Sequence, residues 1–149
     1  MSLVEYRTEK GLAILELNDP PANTYTHQMF REFDEAILQA RFDDEVHVLV
    51  VRGKGLVVLT GCGHAGIVNI VRYAKKLTGV DTVYAVIGGF HLTGGLFEPI
   101  IPQTVAALAK FSPRVVVPAH CTGWKATQRI AAVLADAFLP GSVGTRYEL

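Results

Sequence analysis

The stretch Val46-His47-Val48-Leu49-Val50-Val51-Arg52-Gly53-Lys54-Gly55-Leu56-Val57-Val58-Leu59-Thr60 decides the fold. Its two apolar, β-branched runs, residues 46–51 and 56–60, read as strands. The four residues between them include two glycines, which is a hairpin loop in length and chemistry. A parallel crossover needs about a dozen residues or more, so these strands are expected to be antiparallel neighbours. A purely parallel sheet is thereby excluded.

Outward from the hairpin, the N-terminal side reads as ββα. Residues 2–18 hold two short strands around a Glu9-Lys10-Gly11 turn, the second of them, residues 12–17, well buried. Asn18-Asp19-Pro20-Pro21 stops it, because proline lacks the strand donor and Asn and Asp favour turns. Met29, Phe30, Phe33, Ala36, Ile37 and Ala40 then recur at helical spacing, predicting a helix over 26–40 with Thr26 as its cap.

On the C-terminal side the pattern alternates. Helices are expected at 66–77, 101–110 and 124–138, with strands at 82–87 and 114–117 and a last short strand at 143–148. No repeat or linker divides the chain. The expectation is a single α/β domain over residues 1–149, with a mixed β-sheet and packed helices.

Half of the 149 residues are apolar and 19% are charged, which excludes intrinsic disorder. Fourteen basic residues balance fourteen acidic ones, so there is no basic excess for nucleic acid. The same neutrality leaves little charge barrier to self-association, and a homodimer is expected. No apolar run approaches the ~18 residues of a membrane span, and Met1-Ser2-Leu3-Val4-Glu5 lacks the basic head and apolar stretch of a signal peptide. Two cysteines, Cys62 and Cys121, are too few for a disulfide scaffold and fit two buried thiols in a reducing cytoplasm.

Chemistry concentrates just beyond the predicted strands, at His64, His91 and His120. If those strands run side by side in one direction, the histidines gather at one sheet edge, where open α/β sheets place ligands. Three imidazoles with a fourth position open make a competent zinc site. His64, His91 and His120 are therefore the candidate metal ligands, and zinc the candidate cofactor. The alternative is three loop histidines bonded to backbone or water. Cys62 and Cys121 neighbour two of them, and a thiolate can join a zinc site. Adjacent residues in a strand-end loop, however, often point apart. A Cys-His nucleophilic pair also needs a third, orienting group, and the sequence identifies none.

Gly61-Cys62-Gly63-His64-Ala65-Gly66 precedes a helix, whose free amides suit an adventitious anion. No acidic residue closes the following strand, so a dinucleotide loop is not expected. Thr122 is placed either to hydrogen-bond near the site or to cap the next helix. Trp124 is expected to pack as a first-turn anchor, the alternative being to stack on a ligand.

Two family resemblances meet at the Gly53–Gly55 turn. Residues 3–53, through Asn18-Asp19-Pro20-Pro21-Ala22-Asn23, the following helix and Val48-Leu49-Val50-Val51-Arg52-Gly53, resemble the start of the enoyl-CoA hydratase/isomerase (crotonase) family. Lys54-Gly55-Leu56-Val57-Val58 stands where that family has its oxyanion-hole segment, and no later crotonase portion follows. This resemblance implies opening fold elements without a catalytic site.

Residues 54–149 resemble the C-terminal half of the metallo-β-lactamase-fold hydrolases, especially the branch similar to dihydropterin-related phosphate synthases. The resemblance rests on Gly61-Cys62-Gly63-His64-Ala65-Gly66, Gly88-Gly89-Phe90-His91-Leu92, Pro118-Ala119-His120-Cys121-Thr122-Gly123 and Val143-Gly144-Thr145-Arg146-Tyr147. It implies that His64 and His120 are metal ligands, while His91 stands where many members carry a bridging aspartate. The family's His-x-His-x-Asp-His cluster is absent, and His27 and His47 are isolated. Together the resemblances imply half of a metallo-β-lactamase fold completed by a crotonase-like ββαβ segment. We read the join as a recombined or engineered chimera with no native catalytic function and at most residual metal binding. The alternative is a zinc-dependent hydrolase of the metallo-β-lactamase superfamily.

Overall fold

The computed structural model describes residues 2–18, 26–53 and 55–145. Their strands form one sheet in chain order: β1 (Val4–Glu9), β2 (Leu12–Leu17), β3 (Val48–Arg52), β4 (Leu56–Thr60), β5 (Val83–Gly89) and β6 (Val115–Ala119). The expected hairpin is present, with β3 and β4 antiparallel and Val50 opposite Val58. β1 and β2 are also antiparallel, whereas β2–β3, β4–β5 and β5–β6 are parallel. The mixed α/β sheet expected from the sequence is therefore found.

The helices are α1 (His27–Arg41), α2 (Ile67–Thr78), α3 (Ile101–Ala109) and α4 (Trp124–Val133). Crossovers between parallel strands are right-handed, so strand direction sets the face that receives the helix. The β2–α1–β3, β4–α2–β5 and β5–α3–β6 units all step the same way across the sheet. Because the β3–β4 hairpin reverses strand direction, α1 falls on one face and α2 and α3 on the other.

Two separate cores follow from this arrangement. Met29, Ala36 and Ala40 of α1 pack with Ala13, Leu15 and Val51. Ile67, Val71, Leu108 and Ile130 pack on the opposite face with Ile14, Val50, Val58 and Val86. β2 contributes to both, which is why Leu12 to Leu15 is continuously apolar rather than alternating. Full burial of Ile14 and Leu15 contributes about 1.5–3 kcal/mol each.

Local chemistry matches several predicted boundaries. Lys10 and Gly11 have φ of 46° and 84°, the left-handed pair that a two-residue hairpin turn requires. The Thr26 hydroxyl accepts the Met29 N–H at 3.2 Å and caps α1 as expected.

Three expectations are corrected. Residues 46 and 47 lie outside β3, because Val46 N–H donates to Asp43 O and His47 N–H to Gly11 O. The helix expected to reach 138 ends at Val133. Residues 137–139 instead run beside β6, where Val116 N–H donates to Ala137 O at 2.7 Å and Leu139 N–H to Val116 O at 3.0 Å. The backbone groups of an edge strand compete for that segment and win over its helical periodicity. Finally, Val143 and Gly144 form a turn rather than the start of a strand. Residues 146–148 of that expected strand lie outside the described residues, as do residues 19–23 of the crotonase-like motif and Lys54. No described helix is long and apolar enough to cross a membrane.

Candidate metal centre

β4, β5 and β6 are parallel, so the loops that follow them open on one sheet edge. Backbone bonds stitch these loops together. Gly89 N–H donates to Gly61 O at 2.8 Å, and Leu92 N–H to Cys121 O at 3.2 Å. Thr122, fully buried, accepts the Phe90 N–H through its hydroxyl at 3.1 Å, so of its two expected roles it takes the bond near the site.

The edge carries all three predicted histidines, in two subgroups. His64 and His91 meet edge to face, with ring centroids 4.5 Å apart, and Phe97 contacts the His91 ring at 4.7 Å. His91 has φ of 50°, an uncommon conformation for a non-glycine residue. Its Nδ1 is buried and has no hydrogen-bond partner among the described residues. Strain and an orphaned ring nitrogen at one residue are the kind of local cost that persists at functional sites.

His120 sits instead with the two thiols. Cys62 Sγ lies 3.1 Å from His120 Nε2, and Cys121 Sγ donates to Cys62 O at 3.3 Å. The ligand atoms of Cys62, His120 and Cys121 all lie within 4.8 Å of one another. The expectation that adjacent loop residues point apart fails because residues 120–122 form a 3₁₀ turn rather than extended chain. Successive side chains there diverge by about 120°, not the half-turn of a strand. Burial pushes the Cys121 thiol pKa up, and the neighbouring Cys62 adds to the rise. Cys62 and His120 are within reach of a nucleophilic pair, but no group other than Cys62 is bonded to the His120 ring among the described residues. The orienting partner of such a pair is missing.

Two clefts flank the edge. One, of about 510 Å³, is lined by His64, His91, Phe90, Phe97, Arg72 and Thr104. The other, of about 560 Å³, lies beside His120 and includes Trp124, Thr127 and Phe138. Trp124 is 74% exposed, which corrects its expected role as a packing anchor. Ala126 and Ile130 form the buried stripe of α4, and position 124 falls outside it. At the loop expected to suit an anion, Gly66 begins α2 without a side-chain cap.

Sequence reasoning placed the histidines at the strand ends but missed that both thiols gather with His120. The available signal was the paired spacing Cys62-Gly63-His64 and His120-Cys121 flanking a Gly88-Gly89 strand end.

No protein-family model matches the chain. It is 44% identical over 84 residues to a 7,8-dihydropterin-6-methyl-4-(beta-D-ribofuranosyl)-aminobenzene-5'-phosphate synthase of Methanocaldococcus jannaschii, covering 56% of this chain and 28% of that protein. It is 35% identical over 107 residues to the uncharacterised protein MJ0448 of the same organism, covering 70% and 38%. Among solved structures it resembles Tm1679, a metal-dependent hydrolase of the β-lactamase superfamily. That likeness has a TM-score of 0.61 and 34% identity, and covers 67% of this chain and 39% of the other. The chain thus spans 28–39% of the length of these proteins.

The expectation of an engineered fold without native catalytic function is overturned by these relatives, one named as a synthase and one as a hydrolase. The alternative, a metal-dependent hydrolase, fits them better. None of the three is named as a crotonase protein, and the crotonase resemblance of residues 3–53 and the chimera read from it gain no support from them. The α/β fold, a mixed six-stranded sheet with packed helices, is similar to that of a metal-dependent hydrolase of the β-lactamase superfamily.

Proposed function

We propose that this chain works in metal-dependent hydrolysis with zinc as the metal, His64 and His91 being paired ligands at one end of the edge and His120 a ligand at the other. The observation that carries the reading is His91, whose strained backbone and buried, unpartnered Nδ1 stand against His64 at the stitched edge. An orphaned buried nitrogen costs about 1–3 kcal/mol, a cost removed when that nitrogen takes a ligand. Imidazole nitrogens at loop ends on one edge fit zinc in donor chemistry.

When bound, such an ion supplies Lewis-acid polarisation and acidifies water to a pKa of about 7. The rest falls to the chain's own side chains. Phe90 and Phe97 wall the cleft beside His64 and His91 and limit water there. Arg72 and Thr104 offer polar groups on the same cleft to orient an ester or phosphoester. Thr122 fixes the backbone of the His91 loop through Phe90.

The test is elemental analysis of protein purified without added metal, paired with turnover of bis(p-nitrophenyl) phosphate and a β-lactam. At least one equivalent of zinc is expected. His64→Ala, His91→Ala and His120→Ala should each lower turnover by about 100-fold or more, the scale of a misplaced catalytic group. Metal-free protein, or turnover indifferent to all three substitutions, overturns the reading.

A further inference from the structure

We propose that Cys62, His120 and Cys121 form a soft metal site of their own, taking one Zn²⁺ or a similar thiophilic ion through two thiolates and one imidazole. It shares His120 with the hydrolytic centre proposed above but needs neither His64 nor His91.

The geometry comes first. In a tetrahedral zinc site, Zn–S near 2.3 Å and Zn–N near 2.0–2.1 Å put neighbouring ligand atoms roughly 3.3–3.8 Å apart. Here Cys62 Sγ and His120 Nε2 are 3.1 Å apart, and all three ligand atoms fall within 4.8 Å. Shifts of the order of 1 Å or less would close the set around an ion. The ligands come from two different loops, and those loops are already joined to the β5 end by Gly89 N–H to Gly61 O and Leu92 N–H to Cys121 O. The site is therefore largely pre-organised.

Chemistry comes second. Two sulfurs and one imidazole nitrogen select zinc and related ions over magnesium or calcium, which prefer oxygen. Coordination replaces the two S–H protons by metal–sulfur bonds, so two protons are released and nothing is oxidised or reduced. His120 is exposed and both thiols are half-buried, which leaves a fourth position for solvent or substrate. The competing nucleophilic use of Cys62 leaves Cys121 without a role and lacks an orienting group on His120.

The test uses the reduced, metal-free full chain titrated with Co²⁺. A near-ultraviolet thiolate-to-cobalt charge-transfer band should saturate at one equivalent. Cys62→Ser and Cys121→Ser should each halve it, whereas His64→Ala should leave it unchanged. Independently of any variant, one equivalent of Zn²⁺ should protect both thiols of the unmodified chain from iodoacetamide. Cobalt binding with only visible d–d bands, or thiols alkylated equally fast with and without zinc, overturns the site. A charge-transfer band without hydrolytic turnover sinks the hydrolase reading and leaves this one standing. Turnover sensitive to His64→Ala without the band does the reverse.

Discussion

Gly89 and Cys121 pack so closely that a Cβ on Gly89 would stand 2.5 Å from Cys121 Sγ. The same Cβ would meet Gly61 O and His120 Cε1, each at 2.7 Å. Two of these three neighbours belong to the thiol–imidazole cluster, so the missing side chain is what lets the loops after β4 and β6 converge on the end of β5. Gly89→Ala must push backbone as well as side chains and should destabilise the fold by about 1–3 kcal/mol. Gly95, with nothing within 4 Å of its Cβ position, is the control, and Gly95→Ala should stay within about 0.5 kcal/mol. Urea midpoints measure both.

The contrast shows what was legible in the chain. The 46–60 hairpin could be read because four residues cannot make a crossover, but which face receives each helix could not, because that also depends on the order of the strands. The three histidines could be read because glycines mark the ends of their strands. How they subdivide could not, since it depends on residues 120–122 forming a 3₁₀ turn, and two or three residues carry no periodicity. The overrun of α4 has a related cause. Leu134 and Phe138 keep helical spacing, but their segment turns to serve the free edge of β6, a tertiary demand that local pattern does not encode.

His91→Asn separates the backbone requirement at that position from the chemistry. Asparagine tolerates left-handed φ, so the strained loop should be retained. Loss of the ring contacts with His64 and Phe97 should cost about 0.5–1.5 kcal/mol. The orphaned nitrogen disappears with the ring, and zinc content at the histidine edge should fall while the Cys62–Cys121 charge-transfer band persists. Denaturant midpoints, metal analysis and cobalt spectra read the three effects separately.

Acid sensitivity should enter through Glu32. Its Oε1 accepts from Gln28 Nε2 at 3.0 Å, and its Oε2 accepts from the Ser2 hydroxyl at 2.9 Å and the Leu3 and Val4 N–H groups at 2.6 and 3.1 Å. The Gln28 bond, then those of Ser2 and Leu3, hold this carboxyl below the usual carboxylate range. A depressed folded pKa means stability present above the unfolded value and lost as pH falls through the folded one. The melting-temperature advantage of the native protein over Glu32→Gln should therefore be largest near pH 7 and shrink as the pH falls below the usual carboxylate range. A pH-independent difference would show that the charge plays no part.

Tyr6 offers the opposite case, a polar group whose loss should do no harm. The residue packs against the α1 core, opposite Leu15 across the β1–β2 pair, and its hydroxyl is buried with no partner among the described residues. Burial pushes its pKa up, and the Asp43 carboxylate adds to the rise, so the group stays neutral and merely desolvated. Tyr6→Phe keeps the ring and removes the unsatisfied atom, and should leave stability unchanged or raise it by up to about 1 kcal/mol. The readout is the urea midpoint at constant m-value. A fall of more than about 1 kcal/mol would mean that the hydroxyl has a hydrogen bond in solution, since only a satisfied group loses that much on deletion.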